Sequence, residues 1–281
     1  MAQLTLFTAP KPFTNPHIAM IQRNALRNWT ALGSDVEVIL IGEEEGLAEA
    51  ASEAGVTHLP DVRRNAHGTP LVSSIFNLAR SHSSAPLLAY INADILVMPD
   101  FLESALQAAR LAKKFLLVGQ RYDLDVTADL DFSAGWPERL RQKVKEEGRL
   151  HPRGGSDYFI FPRDCFTDLP DFAIGRAGWD NWMIFKSRWE HWPTIDATAA
   201  IQIIHQNHDY NHVTYTPHLP GWNRIYDGPE RQRNLELAGG TAHMYDLSRA
   251  THVLRPKNAS GPAGIAPAAA GLAPRDYAGS G

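Results

Sequence analysis

Five short apolar runs punctuate the start of this chain: Leu4 to Phe7, Val36 to Ile41, Val56 to Leu59, Leu87 to Ile91 and Phe115 to Gly119. The stretches between them carry apolar residues at helical spacing. Ile18, Ile21, Ala25, Leu26 and Trp29 form one such face, and Leu47 to Ala54, stopped by Gly55, forms another. Leu71, Ile75, Phe76 and Leu78 follow Pro70, and Phe101 to Leu111 completes the set. Strands separated by helices of this length pair in parallel through right-handed crossovers. The pattern predicts an α/β fold, a mostly parallel sheet flanked by helices.

The rest of the chain is less regular and richer in aromatics, with Trp136, Trp179, Trp182, Trp189, Trp192 and Trp222 all beyond the last of those runs. Such rings are core by default, and they also line clefts for flat or sugar-like ligands. From about Pro256 the sequence turns to Ala, Gly, Pro and Ser without periodicity, which predicts a flexible tail over 256–281. The expected organisation is one domain over 1–255, made of a regular half, 1–120, and an aromatic half, 121–255. A net charge of -4 supplies no footprint for nucleic acid. A single cysteine, Cys165, rules out an intrachain disulfide and fits a reducing compartment. No apolar run is long enough to span a membrane, and Met1 to Leu4 lacks the basic and apolar regions of a secretory signal. A cytoplasmic location is expected, with peripheral membrane contact left open.

Four segments carry chemistry. Asn92-Ala93-Asp94 ends the apolar run Leu87 to Ile91, so Asp94 stands where a strand meets the sheet rim, the place where open α/β sheets bind ligands. It reads as a ligand for a hard divalent cation such as Mg²⁺ or Mn²⁺, or more simply as a turn. Arg63 to Pro70 offers two arginines, Asn65 and Gly68-Thr69 before a helix. That is either a diphosphate pocket or a solvated loop with Thr69 as N-cap and Pro70 at the first helical position. Gly175 to Trp182 presents Asp180 between two tryptophans, as a general base in an aromatic-walled cleft or as a helix N-cap. His205, His208 and His212 form the densest ligand-capable cluster, in which one histidine could join Asp94 on a metal ion.

Together these segments resemble nucleotide-sugar glycosyltransferases of the GT-A fold, over roughly Leu4 to Leu254. The resemblance implies a donor site built from Thr8, Ala9, Pro10 and Phe13 after the first strand, and from Arg64, Asn65 and Thr69. Asn92, Ala93 and Asp94 complete it, with Gly155 and Ser156 shaping the donor sugar and acceptor side. It implies Mn²⁺ or Mg²⁺ held by Asp94 and by His208 or His205. The family's strand-end motif is Asp-x-Asp. Asn92 occupies its first position here, one charge fewer, and could bond ribose or metal through its carbonyl. Trp179, Asp180 and Asn181 would face the acceptor, with Asp180 as the base if configuration inverts. The implied partners are a nucleotide-sugar donor and a glycan, lipid-linked or small-molecule hydroxyl acceptor.

Two alternatives stay in view. A sugar-1-phosphate nucleotidyltransferase shares this architecture, but the Thr8 to Phe13 segment lacks the glycine-rich basic loop such enzymes carry. A non-catalytic nucleotide-sugar-binding protein would explain Asn92 but not Asp180 and the histidines together.

Overall fold

The computed structural model describes residues 1–208, 214–215, 225–226, 228–256 and 264–268, with the backbone alone at 214–215 and 225–226. The regular half alternates as expected. β1 (Leu4–Thr8), α1 (Pro16–Thr30), β2 (Val36–Ile41), α2 (Leu47–Ala54), β3 (Thr57–Leu59), α3 (Val72–His82) and β4 (Leu87–Ile91) follow in order. β5 (Ile95–Val97), α4 (Asp100–Leu111), β6 (Leu116–Val118), β7 (Tyr122–Leu124), α5 (Trp136–Glu147), β8 (Arg149–Leu150) and β9 (Tyr158–Pro162) continue it. After them come α6 (Trp179–Trp189), β10 (Thr194–Asp196), β11 (Ile203–Gln206), β12 (Thr214–Tyr215), β13 (Ile225–Tyr226), α7 (Gly228–Ala238), β14 (His252–Arg255) and β15 (Gly264–Pro267).

Nine strands form the main sheet in the order β15-β14-β10-β6-β9-β4-β1-β2-β3. β3, β2, β1 and β4 run parallel to one another, as do β6, β10 and β14, while β9 lies antiparallel between β4 and β6. The expected mostly parallel, helix-flanked sheet is therefore present. The aromatic half is not a separate layer, however, because β9, β10 and β14 complete the sheet begun by the regular half.

Period-two alternation divides the core between the two faces of the sheet. Leu87, Ala89 and Ile91 pack with Trp29 of α1 and Phe101 of α4 on one side. Leu88 and Tyr90 pack with Phe76 of α3 and Trp179 and Trp182 of α6 on the other. Most of the second-half tryptophans are thus core: Trp136, Trp179 and Trp182 are buried, Trp192 packs on Phe166, and Trp189 is exposed. Trp222 lies outside the described residues.

A second sheet, in the order β5-β11-β7-β8, sits beyond the end of β4. Its register places His205 of β11 opposite Ile95 of β5 on one side and Asp123 of β7 on the other. The expected flexible tail needs one correction. Gly264–Pro267 pairs antiparallel with β14 as an edge strand, and Ile265 packs against the core. Its composition hid this, because an edge strand needs backbone pairing more than a strong side-chain pattern.

Candidate active site

Strands β1, β2, β4 and β6 all end on one side of the sheet, and antiparallel β9 begins there. The residues just past those ends surround a cleft of about 1100 Å³. Ala9, Pro10 and Lys11 come from β1, Glu44 from β2, Asn92 to Asp94 from β4, Arg121 from β6, and Gly154 to Asp157 precede β9. The space exceeds that of most single small-molecule pockets, so donor and acceptor could lie in it together.

Asp94 links the two sheets. Its carbonyl accepts the Gln206 N–H at 3.1 Å, which brings β11 and its following turn against it. His208 Nε2 lies 2.9 Å from Asp94 Oδ2, and His205 Nε2 lies 3.7 Å from the same oxygen. The other oxygen, Oδ1, is buried without a hydrogen-bond partner among the described residues. Burial by itself would raise the Asp94 carboxyl, but His205, His208 and Lys11 outweigh it and hold it below the usual carboxylate range. Burial lowers His205, opposed by Asp94 and aided by Arg121. An ionised carboxylate beside a neutral imidazole is the protonation pattern a cation needs. The ligand atoms of Asp94, His205 and His208 lie within 4.8 Å of one another. Both expected histidines thus reach Asp94, while His212 lies outside the described residues.

Asn92 is used differently from the expectation. Its carbonyl oxygen accepts the Tyr90 hydroxyl at 3.1 Å, and its amide donates to Asp157 Oδ1 at 2.8 Å. It orients Asp157 across the β4–β9 junction. Asp157 also receives both contacts of Arg121 Nη1, at 2.8 and 2.7 Å, in an ion pair whose side chains are only 10% and 6% exposed. Arg121 Nε donates to Asp123 at 2.8 Å, and the other Asp123 oxygen meets His151 Nδ1 at 2.7 Å.

Asp180 sits in the first turn of α6, which starts at Gly178 with φ 116°, a backbone conformation that favours glycine. Its Oδ1 accepts the Gly178 N–H at 3.3 Å, so the expected capping character is real although Gly178 is the N-cap. Burial pushes its carboxyl up to about 6, against the pull of the Asn181 and Gly178 N–H groups, and Asp157 adds to the rise. The Tyr90 hydroxyl is held protonated by burial and by the charges of Asp94, Asp157 and Asp180.

Several expected donor residues stand away from the cleft wall. Arg64 is drawn off by acids, with Nη2 2.9 Å from Glu44 Oε1, Nε 3.3 Å from Glu43, and Nη1 on the Gly68 carbonyl. Asn65 binds Glu230 at 2.6 Å, and its own carbonyl accepts the N–H groups of His67 and Thr69. Thr69 is not an N-cap, because α3 starts two residues later with Leu71 in that position. Phe13 packs on Gly46 beneath Arg23, and Thr8 is buried in the sheet. Asn181 is buried, its amide on the Tyr245 carbonyl, and Trp179 is anchored among Tyr90, Phe76 and Phe159 with only part of it reaching the cleft. Ala9, Pro10, Ala93, Gly155 and Ser156 do line the cleft.

Arg121, Asp123 and His151 were not expected here, and Lys11 and Asp157, within the Thr8 to Phe13 and Gly154 to Tyr158 segments, had been given no role of their own. The strand-end rule that picks out Asp94 also picks out Gln120-Arg121 after Leu116–Val118, and Asp157 directly follows the Gly155-Ser156 pair.

No protein family and no curated protein matches the sequence. Among solved structures, the chain is similar to a mannosyltransferase from Pyrobaculum calidifontis in complex with GDP-Man and Mn²⁺, at 13% identity and a TM-score of 0.44. That match covers 74% of this chain and 58% of the mannosyltransferase, so the chain spans well under two thirds of it. It is similar to glucosyl-3-phosphoglycerate synthase of Mycobacterium tuberculosis at 14% identity and a TM-score of 0.46, over 75% of this chain and 73% of that one. A nucleotide-diphospho-sugar transferase of Desulfovibrio desulfuricans G20 is matched over 85% of this chain and 98% of its own, at 12% identity and a TM-score of 0.45. At these scores the likenesses assign no residue a role.

Proposed function

We propose that this protein is a glycosyltransferase that moves a sugar from a nucleoside-diphosphate sugar to a hydroxyl acceptor. The observation that carries the reading is the buried, unpartnered Asp94 Oδ1 beside two imidazoles at the ligand-binding rim of a parallel sheet. Asp94, His205 and His208 would hold a divalent cation, and two imidazole donors in three favour Mn²⁺ over Mg²⁺. When bound, the ion would neutralise charge on the leaving diphosphate. Lys11, in the same wall and within electrostatic reach of Asp94, would bind the donor phosphates from the protein side. Asp180 would face the acceptor and take its proton, a role suited to a carboxyl raised to about 6. Both the nucleotidyltransferase and the non-catalytic reading leave Asp180 without a task.

The test is a thermal-shift screen of UDP-, GDP-, CMP- and dTDP-sugars with Mn²⁺, with Mg²⁺ and with neither. A donor at 100 times its Kd adds about 2.7 kcal/mol of stability. A shift with one nucleotide class that requires Mn²⁺ is the expected outcome. A metal-independent shift would remove Asp94, His205 and His208 from a metal role, and the absence of any shift would sink the transferase reading.

A further inference from the structure

His151 follows β8 and lines the cleft, and its ring is held by one contact, Nδ1 to Asp123 Oδ2 at 2.7 Å. Asp123 is itself fixed by Arg121 Nε at 2.8 Å, and its Oδ1 lies 3.6 Å from His205 Nδ1. Both Asp123 oxygens are thus engaged, Oδ1 by Arg121 and Oδ2 by His151. A carboxylate oxygen accepts this hydrogen bond, so the imidazole hydrogen sits on Nδ1. The Nε2 lone pair then has no partner among the described residues. The side chain is 30% exposed, and only the lack of a side chain at Gly155 leaves room at that edge, since a Cβ there would stand 3.1 Å from His151 Nε2 and Cδ2. A cleft-lining imidazole oriented by a carboxylate has the arrangement of an activated base. Asp180, by contrast, already spends carboxylate capacity on backbone N–H groups of its own helix end.

We propose that His151, oriented by Asp123, is a second general base of this cleft, an inference that rests on the transferase reading. When water attacks, its O–H bond breaks with the proton passing to Nε2, whereas a bound acceptor gives its proton to Asp180, and in either case the oxygen's electron pair forms the new bond to the anomeric carbon. The bond from that carbon to the phosphate oxygen breaks, and its electron pair leaves with the nucleoside diphosphate.

Donor hydrolysis tests this without a known acceptor, because water serves as one. The full-length protein with Mn²⁺ is assayed on the donor chosen from the UDP-, GDP-, CMP- and dTDP-sugars, as wild type, His151→Ala, His151→Gln and Asp180→Asn. His151→Ala is expected to lose about 100-fold in kcat with KM nearly unchanged, and free imidazole is expected to restore about tenfold of it. His151→Gln should show the same loss with an intact donor-induced thermal shift, which excludes misfolding. Imidazole should not stimulate the wild type or Asp180→Asn. Full activity in both His151 variants, or a loss that imidazole does not rescue while donor binding persists, overturns the base. A wild type that neither shifts with nor hydrolyses any donor overturns the transferase reading and the base with it.

Discussion

Two regions of this molecule look equally suited to phosphate or metal in the sequence, and the fold treats them in opposite ways. The loop Arg63 to Pro70 turns most of its polar groups to the protein: Arg64 Nη1 and Nη2 bond Gly68 and Glu44, its Nε lies 3.3 Å from Glu43 without a hydrogen bond, and Asn65 is bonded to Glu230 and its own turn. The rim around Asp94 keeps a buried carboxylate oxygen without a partner, two imidazoles beside it and a lysine nearby. Protein polar groups pair wherever they can, so a buried one left unpaired beside a cleft marks a site for something else. Residue type proposes a ligand site, and an unpaired group that converges with other ligand atoms on the cleft, as Asp94 does and Arg64 does not, decides it.

The sharpest way to break that contrast is Asp94→Asn. It removes the carboxylate of the Asp94, His205 and His208 cluster, and isothermal titration should show Mn²⁺ binding lost and turnover reduced by about 1000-fold. Retained metal affinity would mean that the unpaired oxygen is incidental. Asp180→Asn should do less, sparing the donor-induced thermal shift and lowering kcat by about 100-fold. It also carries a stability signature. A carboxyl raised from its ordinary value to about 6 binds more protons folded than unfolded between roughly pH 4 and 6. Stability supplied by that group is present below the unfolded value and falls as pH rises through the folded one. Asp180→Asn should therefore be more stable than the wild type at pH 7, by up to about 2 kcal/mol, and equal to it near pH 4. Urea unfolding at the two pH values measures this, and an equal difference at both would contradict the raised carboxyl.

The strand Leu87 to Ile91, the helix ending at Gly55 and the place of Asp94 at a strand end were legible because each is set by local pattern. Which polar groups would be consumed was not, since Glu44 and Arg64 lie twenty residues apart and Asn65 and Glu230 lie 165 apart. The role of Asn92 was hidden for the same reason, because its partner Asp157 arrives on β9 from the other half of the chain. The tryptophans followed their default, since Trp179 and Trp182 are both buried in the core and only Trp179 of the two reaches the cleft wall.

Lys11 and Arg64, one cation from each region, separate the two directly. Lys11 lines the cleft and is lowered by burial, with Asp94 opposing. Lys11→Met should weaken donor binding about tenfold, the worth of one charged hydrogen bond, measured by competition against the bound nucleotide sugar. Arg64→Gln should weaken it by no more than about threefold, and for an indirect reason. Its Glu44 partner lines the cleft with one carboxylate oxygen already unpaired, so losing the arginine leaves a bare negative charge facing the donor phosphates. That same loss should cost about 1–3 kcal/mol of stability, because the Glu44 side chain is only 13% exposed. The double variant Arg64→Gln, Glu44→Gln removes the stranded charge and should recover both affinity and stability. If Arg64 instead touched the diphosphate, the double variant would remain as weak as the single one, and the loop would belong to the donor site after all.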